Sequence, residues 1–479
     1  MFNNVKPEVL RSLDPKLHQK EILEIYKSLA QLNSQSIEHY GMVVTKGTTP
    51  TTLGYQYEHR GIPFVRSQNV LSNELSGDLL FISEECDRQM RRSQVKRGDV
   101  LTNIVGASIG RTAVYNLAER GNTNQAVAIV KDNGSIDMHY LSTWMNSSIS
   151  LKLMAAQQSG NARDNFDLCQ VRETEIPRIR GLAQKYIGDK VRQAERLRAW
   201  AKGLVAECDL NISENFEYKL VDSMRLHPRW MTSKLISEIS LGPEFARGSE
   251  GQLTFKGAVP LSEIIDSCKC GDAIKSEDRV EGKYPYYGAS GPIDLHNEYN
   301  FEGTSLIIAQ DGSIGFASVA RGKIWANNHV WVVKVKDNYD IDVVARYLDV
   351  HFPYWKGITT GSVVPKVTSE NLLSLKIPLA VAKDKESGDL LRKSNNAKHA
   401  STQLVKIAKH LIEALIEGQL TEQQLITAQQ ALEVGDNSQD YDILSRLTNK
   451  GFDAEGEPLF PDLDQLYDLL AQSQQVREG

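Results

Sequence analysis

At 479 residues, the chain exceeds one ordinary domain, and its 41% hydrophobic and 24% charged composition is that of a soluble protein with room for several cores. No apolar run is long enough for a membrane span, the opening MFNNVKPEVLRSLD lacks the apolar stretch of a signal peptide, and five cysteines in this length fit a reducing cytoplasm rather than a disulfide framework. The net charge of −6 excludes neither protein nor DNA partners, because a DNA footprint is a local patch and not a total.

Along the first part of the chain, GDVLTNIV (98–105) is a β-rich run opened by Gly that leads into the small turn GASIGR (106–111). NQAVAIVK (124–131) follows as an alternating, β-branched run. Tyr140-Leu141 then opens a predicted short helix, SGN (159–161) marks a turn, and a strand ends at Ile176-Pro177. Residues 1–180 thus read as one strand-rich module. The segment 181–215 is helical: Ile187, Val191, Ala194, Ala201, Val205 and Cys208 fall on one stripe, which Leu197, Trp200 and Leu204 widen.

Residues 216–385 then repeat the same order. GTSLIIAQ (303–310) parallels the first β-rich run, DGSIGF (311–316) the turn, and NNHVWVVK (327–334) the second run. Tyr347-Leu348, TGS (360–362) and Ile377-Pro378 come next, and MRLHPRWMTSK (224–234) loosely matches RSLDPKLHQKE (11–21). Matches that keep their order over about 200 residues, far beyond a solenoid period, identify a tandem duplication. A second helical region, 386–435, places Ala397, Ser401, Leu404, Ala408, Leu411 and Leu415 at coiled-coil spacing. The fold expected is therefore α+β, with two tandem strand-rich modules separated by long helices that pack as an antiparallel coiled coil with pseudo-two-fold symmetry. Each helix runs on the order of 40 Å. The acidic segment 436–479 keeps a helical apolar pattern in FPDLDQLYDLL and is expected to be a small ordered appendage without a counterpart in the first half.

Motifs for nucleotide triphosphates, dinucleotides, serine hydrolysis and zinc proteolysis are all missing, as is the Asp/Asn-Pro-Pro-aromatic tetrapeptide of amino-methyltransferases. Cys268 and Cys270 have no second pair at zinc-binding spacing and read as structural cysteines, so neither a metal nor catalysis is expected. What both modules offer is turns dense in hydrogen-bonding side chains beside isolated cations. In the first these are Lys46, Thr48, Thr49, Arg66, Gln68, Asn69, Ser108, Arg111, Asn124, Gln125, Arg163 and Asn165. In the second they are Lys283, Tyr286, Tyr287, Ser290, Gln310, Asp311, Ser313, Asn327, Asn328, His329, Ser362 and Lys366. Such residues suit base edges and phosphates. They differ between the modules while the framework stays similar, as in one scaffold carrying two specificities.

KGTTP (46–50), GIPFVRSQNV (61–70), YPYYGASGPID (284–294), the paired SIG turns, GSVVPKVTSENLLSLKIPL (361–379) and LIEALIEGQL (411–420) together resemble the specificity (S) subunit of Type I restriction-modification enzymes. The resemblance covers the chain up to about residue 430 and is closer in the second module. GNARDNFDLCQVRETEIP (160–177) and the tail after 435 depart from it. It implies two target-recognition domains, each reading half of a split DNA site, with the helices as spacer and as docking surface for two methylation (M) subunits. S-adenosylmethionine and ATP would belong to partner subunits, the M subunits methylating adenine N6 and restriction (R) subunits cleaving unmodified DNA in phage defence. A spacer of this length suits half-sites about one helical turn, roughly 34–36 Å, apart. Two rival readings are a freestanding DNA-binding regulator and a tandem β-rich carbohydrate-binding protein with Tyr286, Tyr287, Trp325 and Trp331 as sugar platforms.

Overall fold

The computed structural model describes residues 19–157, 166–214, 257–275, 277, 279–351, 359 and 365–475. Contacts within the chain divide it into two units, Met1–Trp200 with Ala397–Gly479, and Ala201–Asn396. Each long helix, Gly181–Glu214 and Lys385–Ile416, is therefore shared between the units rather than belonging to one module. Among the described residues no helix is long and apolar enough to cross a membrane.

In the first unit the β-branched runs form strands buried along their whole length, as sheets covered on both faces do. An antiparallel four-stranded sheet runs in the order Val44–Lys46, Val127–Val130, Val100–Asn103, Thr112–Val114. Beside it a three-stranded sheet runs Leu80–Ile82, Ile62–Val65, Asn122–Thr123, the last pair parallel.

The second unit has the same topology. Its four-stranded sheet is ordered Ile265–Cys270, Val330–Val335, Ser305–Ala309, Ala317–Ala320. Its three-stranded sheet is Gly291–His296, Tyr284–Gly288, Trp325–Ala326, again with one antiparallel and one parallel neighbour. The two runs paired in the sequence reading occupy the same two sheet positions in each unit. The described starts of the modules obey the same rule: Gln35 pairs with Ile176, and Val259 with Ile377. The segments 11–18, 159–161, 224–234 and 360–362, also paired in the sequence reading, lie outside the described residues.

One pairing is corrected. Tyr140 and Tyr347 are not equivalent, and Tyr347 lies near the end of its helix, Ile341–Val350, rather than opening it. Asp137 and Asp340 cap the two equivalent helices, each accepting from two backbone amides. Counting from these caps matches Trp144 with Tyr347. Trp144 Nε1 donates to the Glu175 carbonyl at 2.6 Å, and the Tyr347 hydroxyl to the Lys376 carbonyl at 3.2 Å, the residues before the repeated Ile-Pro. An aromatic donor to that strand carried over between the copies; its chemical identity did not.

The same two caps fasten the modules to the long helices. GDKVR (188–192) and GDLLR (388–392) are a further repeat, which the sequence reading did not register. Arg192 bonds Asp137 at 2.5 Å and Asp189 at 2.8 Å; Arg392 bonds Asp340 at 2.9 Å and Asp389 at 2.8 Å. Glycine permits the approach: a Cβ at Gly188 would stand 2.6 Å from Asp137 Oδ1, and one at Gly388 2.1 Å from Asp340 Oδ2.

The apolar stripes of both long helices face inward as their spacing predicts. Ile187, Val191, Ala194, Leu197 and Cys208 are buried, as are Ala397, Ser401, Leu404, Ala408, Leu411 and Leu415. Within the second unit, Ser394 Oγ donates to the Ala201 carbonyl at 2.9 Å and Asn211 Nδ2 to Ser387 Oγ at 3.5 Å, so residues 201–211 and 387–394 run in opposite directions.

The C-terminal segment groups with the first unit. It comprises helices Glu422–Glu433, Ser438–Ser445 and Leu463–Gln475 with a small hairpin. Its anchor is Asp440, 1% exposed, which pairs with the equally buried Lys190 and accepts from the Tyr186 and Tyr467 hydroxyls at 2.6 and 2.8 Å. Burial by itself would raise the Asp440 carboxyl, but Lys190 and these hydrogen bonds hold it below the usual carboxylate range.

Three outcomes follow from these anchors. Asp440→Asn should weaken docking of the appendage by about 3–5 kcal/mol, read as hydrogen exchange in Leu463–Gln475, whereas Lys190→Met with Asp440→Leu should recover much of the loss. Because the folded carboxyl is depressed, its contribution is complete above the ordinary value of about 4 and is lost as pH falls through the folded value. Gly188→Ala and Gly388→Ala should each cost about 1–3 kcal/mol by overpacking, measured by denaturant unfolding.

Candidate nucleic-acid interface

Antiparallel pairing brings one end of each sheet together from residues far apart in sequence. In the first unit the chain leaves a strand at Lys46 and at Asn103 and enters one at Thr112 and at Val127, all at the same sheet end. Gly47 permits a close crossing there, since a Cβ would lie 2.0 Å from the Thr123 carbonyl oxygen. Gly271 makes the same crossing in the second unit, 2.2 Å from the Asn327 carbonyl oxygen. Gly47 and Gly271 donate to the Val127 and Val330 carbonyls at 3.3 and 3.2 Å, which makes Lys46 and Cys270 equivalent.

The SIG turns are the same corner twice. Arg111 N donates to the Ser108 carbonyl and Phe316 N to the Ser313 carbonyl, both at 3.1 Å, with Gly110 at φ 83° and Gly315 at φ 101°. Asn124 and Asn327 are likewise equivalent. Each side-chain oxygen accepts from the backbone two residues on, at 3.3 and 2.9 Å, and so closes a turn.

Around this frame the polar loops of the first unit converge. The Thr49 hydroxyl donates to the Gln125 side-chain oxygen, Thr48 N to the Thr123 carbonyl at 3.1 Å, and Thr123 Oγ1 to the Val65 carbonyl at 2.7 Å. Asn103 Nδ2 ties in the Ser67 carbonyl at 2.9 Å. Lys46, Gln68, Arg111 and Gln125 remain exposed at this end. Arg66 is half-buried, its guanidinium reaching the Asp78 carbonyl at 3.4 Å.

In the second unit Asp311, largely buried, bonds His329 Nδ1 at 2.7 Å and Lys366 Nζ at 3.3 Å. The Cys270 thiol meets Gln310 Oε1 at 3.5 Å. Ser290, Ser313, Asn328 and His329 are exposed, and Tyr287 is half-buried with its hydroxyl pushed up by burial. Burial also drives the Cys268 thiol up to about 11, and burial followed by Asp272 and Asp311 raises that of Cys270, so neither is a poised thiolate. Among the described residues no group of three or more His, Cys, Asp or Glu is placed to hold a metal.

Three candidates are corrected. Asn69 is 1% exposed, and its amide is spent on Arg66 N, Ser76 O and Asp78 O. Tyr286 is 3% exposed because it occupies the sheet position of Phe64, each pairing with the short parallel strand. Lys283 precedes the strand that Ser290 follows, so it lies at the opposite end, over the Tyr284 ring. Arg163, Asn165 and Ser362 lie outside the described residues. The sugar-platform aromatics fail as well. Trp331 packs on the core with Nε1 donating to the Val367 carbonyl at 2.9 Å, and Trp325 stacks edge-on to His296 at 4.7 Å.

A groove of about 750 Å³ beside Thr48, lined by Arg88, Arg91 and Arg92, adds residues that are not among the sequence candidates. The cation-rich run RQMRRSQVKR (88–97) was its available signal.

Residues 256–407 match the family described as Type I restriction modification DNA specificity domain. The matched stretch lies in the second module and the start of the helix that follows it. A protein named as a type I restriction enzyme specificity subunit in Haemophilus influenzae is 37% identical over 138 residues, 28% of this chain and 34% of its own. The Type I restriction enzyme EcoBI specificity subunit of Escherichia coli is 27% identical over 146 residues, 30% of each chain. This chain thus spans about a third of the length of these relatives. The crystal structure of a Type I restriction-modification S subunit from M. genitalium aligns with 80% of this chain and 95% of its own, at 16% identity and a TM-score of 0.43.

The two equivalent corners can be tested directly. Gly110→Ala and Gly315→Ala should each cost about 1–3 kcal/mol, the penalty of a side chain in left-handed backbone, read by urea unfolding. At Gly110 the new Cβ would also stand 2.4 Å from Leu151 Cδ2, so that side chain must shift as well.

Proposed function

We propose that the chain is the sequence-specific DNA-recognition subunit of a Type I restriction-modification complex, each module reading one half of a bipartite site. The observation that carries this reading is the match of residues 256–407 to the DNA specificity domain, joined to the identical strand order of the first module. Two copies of one reading scaffold whose sheet-end loops differ suit two half-sites of different sequence.

In this reading the long helices pack as an antiparallel coiled coil and relate the modules by a pseudo-two-fold axis. The opposed course of residues 201–211 and 387–394 supports that packing. The helices dock methylation subunits, two by the symmetry, which bind S-adenosylmethionine and methylate adenine N6; restriction subunits bring ATP-driven cleavage. The chain itself is non-catalytic and cytoplasmic. Exposed side chains at the sheet ends contact bases, and neighbouring cations hold phosphates.

Mapping N6-methyladenine across the host genome with and without this gene tests the reading. One split motif should lose methylation when the gene is deleted; an unchanged map overturns it. Affinity for duplex DNA should fall steeply with salt, and a flat response from low to moderate salt would contradict DNA binding.

A further inference from the structure

Between the strands Leu80–Ile82 and Val100–Asn103, the first module inserts a helix, Glu84–Gln89, and a turn, Arg91–Ser93. The second module crosses the equivalent gap with residues 297–304 and no helix. Ser83 caps the inserted helix by accepting from Cys86 N at 3.1 Å, and Cys86 and Met90 sink into the core at 0% and 3% exposure. That docking turns Glu85 and Arg88 outward.

The insertion holds acids as well as bases, but its acids are mostly neutralised from within. Asp87, fully buried, takes Arg120 Nε at 3.0 Å and Asn122 Nδ2 at 3.0 Å, and Glu84 takes the same arginine. Asp99 pairs with Lys131 at 2.9 Å. Arg88, Arg91 and Arg92 are exposed and have no carboxylate partner among the described residues, and all three line the groove with Thr48, Leu53 and Glu85. Glu85 is the one acid in that lining.

In the second module three described loop cations stand beside carboxylates, Lys366 by Asp311 at 3.3 Å, Arg321 by Asp342 at 2.6 Å and Arg279 by Asp294 at 3.8 Å, while Lys283 and Lys323 lie over the Tyr284 and Tyr299 rings. Uncompensated guanidinium groups on one wall are a binding site for an anion, and their planar forks match phosphate oxygens. Thr48 belongs both to the groove and to the loop that meets Gln125, so an extended anion lying in the groove passes directly beside the base-facing side chains.

We propose that this groove is a track for the phosphate backbone of duplex DNA, which makes the first module the electrostatic anchor of the protein. The inference rests on the DNA-recognition reading and adds a division of labour to it: one module supplies sequence-independent hold, and the other reads from a sheet end where Lys366 is already paired with Asp311.

The test uses the full chain and a mixed-sequence DNA duplex, with affinity measured over a series of salt concentrations. Arg88→Ala, Arg91→Ala and Arg92→Ala together should flatten the slope of log affinity against log salt by about 2–3, near 0.9 for each phosphate no longer neutralised. Lys366→Ala, in the second module, should change it by about 1 at most. Glu85→Gln, which removes the groove's repelling charge, should tighten binding several-fold at low salt. If the triple variant unfolds, as judged by circular dichroism, the single Arg→Gln variants and Glu85→Gln carry the test. A wild-type slope in the folded arginine variants overturns the groove and leaves DNA recognition standing. Absence of any duplex binding by the wild-type protein at low salt overturns both. Loss of affinity for single-stranded RNA with duplex DNA unaffected would assign the groove to another ligand and overturn the proposal.

Discussion

An arginine on each long helix reaches back to the aspartate that caps a module helix, and that contact is the constraint on which each module's placement depends. Asp137 and Asp340 do two jobs with one carboxylate. They satisfy amides at a helix start, and they receive Arg192 or Arg392. The glycine four residues before each arginine removes the side chain that would keep the carboxylate away. A cap fixed in this way cannot drift along the long helix, so the sheet behind it and the loops at the sheet's end inherit a fixed position. The proposed reading of a DNA half-site by scattered loop residues needs such rigidity, because hydrogen bonds weaken steeply as distance and angle depart from the ideal.

The duplication was legible from strands and turns because β-branched runs and a positive-φ glycine are demanded by backbone geometry in both copies. The GDKVR and GDLLR clamp is a repeat of equal clarity, yet it hides within an amphipathic pattern, where periodicity draws attention to Val191 and Leu391 rather than to the polar residues beside them. The Trp144–Tyr347 correspondence was invisible for a different reason. What carried over is a donor reaching one carbonyl, and two different aromatic side chains supply it.

At the candidate site, residue type alone separated contact residues from framework poorly. Asn69 and Gln68 are adjacent and chemically alike, but one is spent inside a turn while the other faces outward. Tyr286 is buried and Tyr287 half-buried, with a register shift between them, and residue type alone does not say which goes deeper. The arginine groove escaped notice because acids flank its run at Glu84, Glu85, Asp87 and Asp99; which of them are neutralised by Arg120 and Lys131 is a matter of tertiary structure.

Asp440 sits on Lys190, and in the second copy of the clamp motif the matching residue is Leu390. A leucine cannot hold a buried carboxylate, so the C-terminal appendage has a seat on one copy and none on the other. One methylene-rich cation in place of a hydrocarbon makes the two copies of the motif inequivalent, although their backbone clamps are the same.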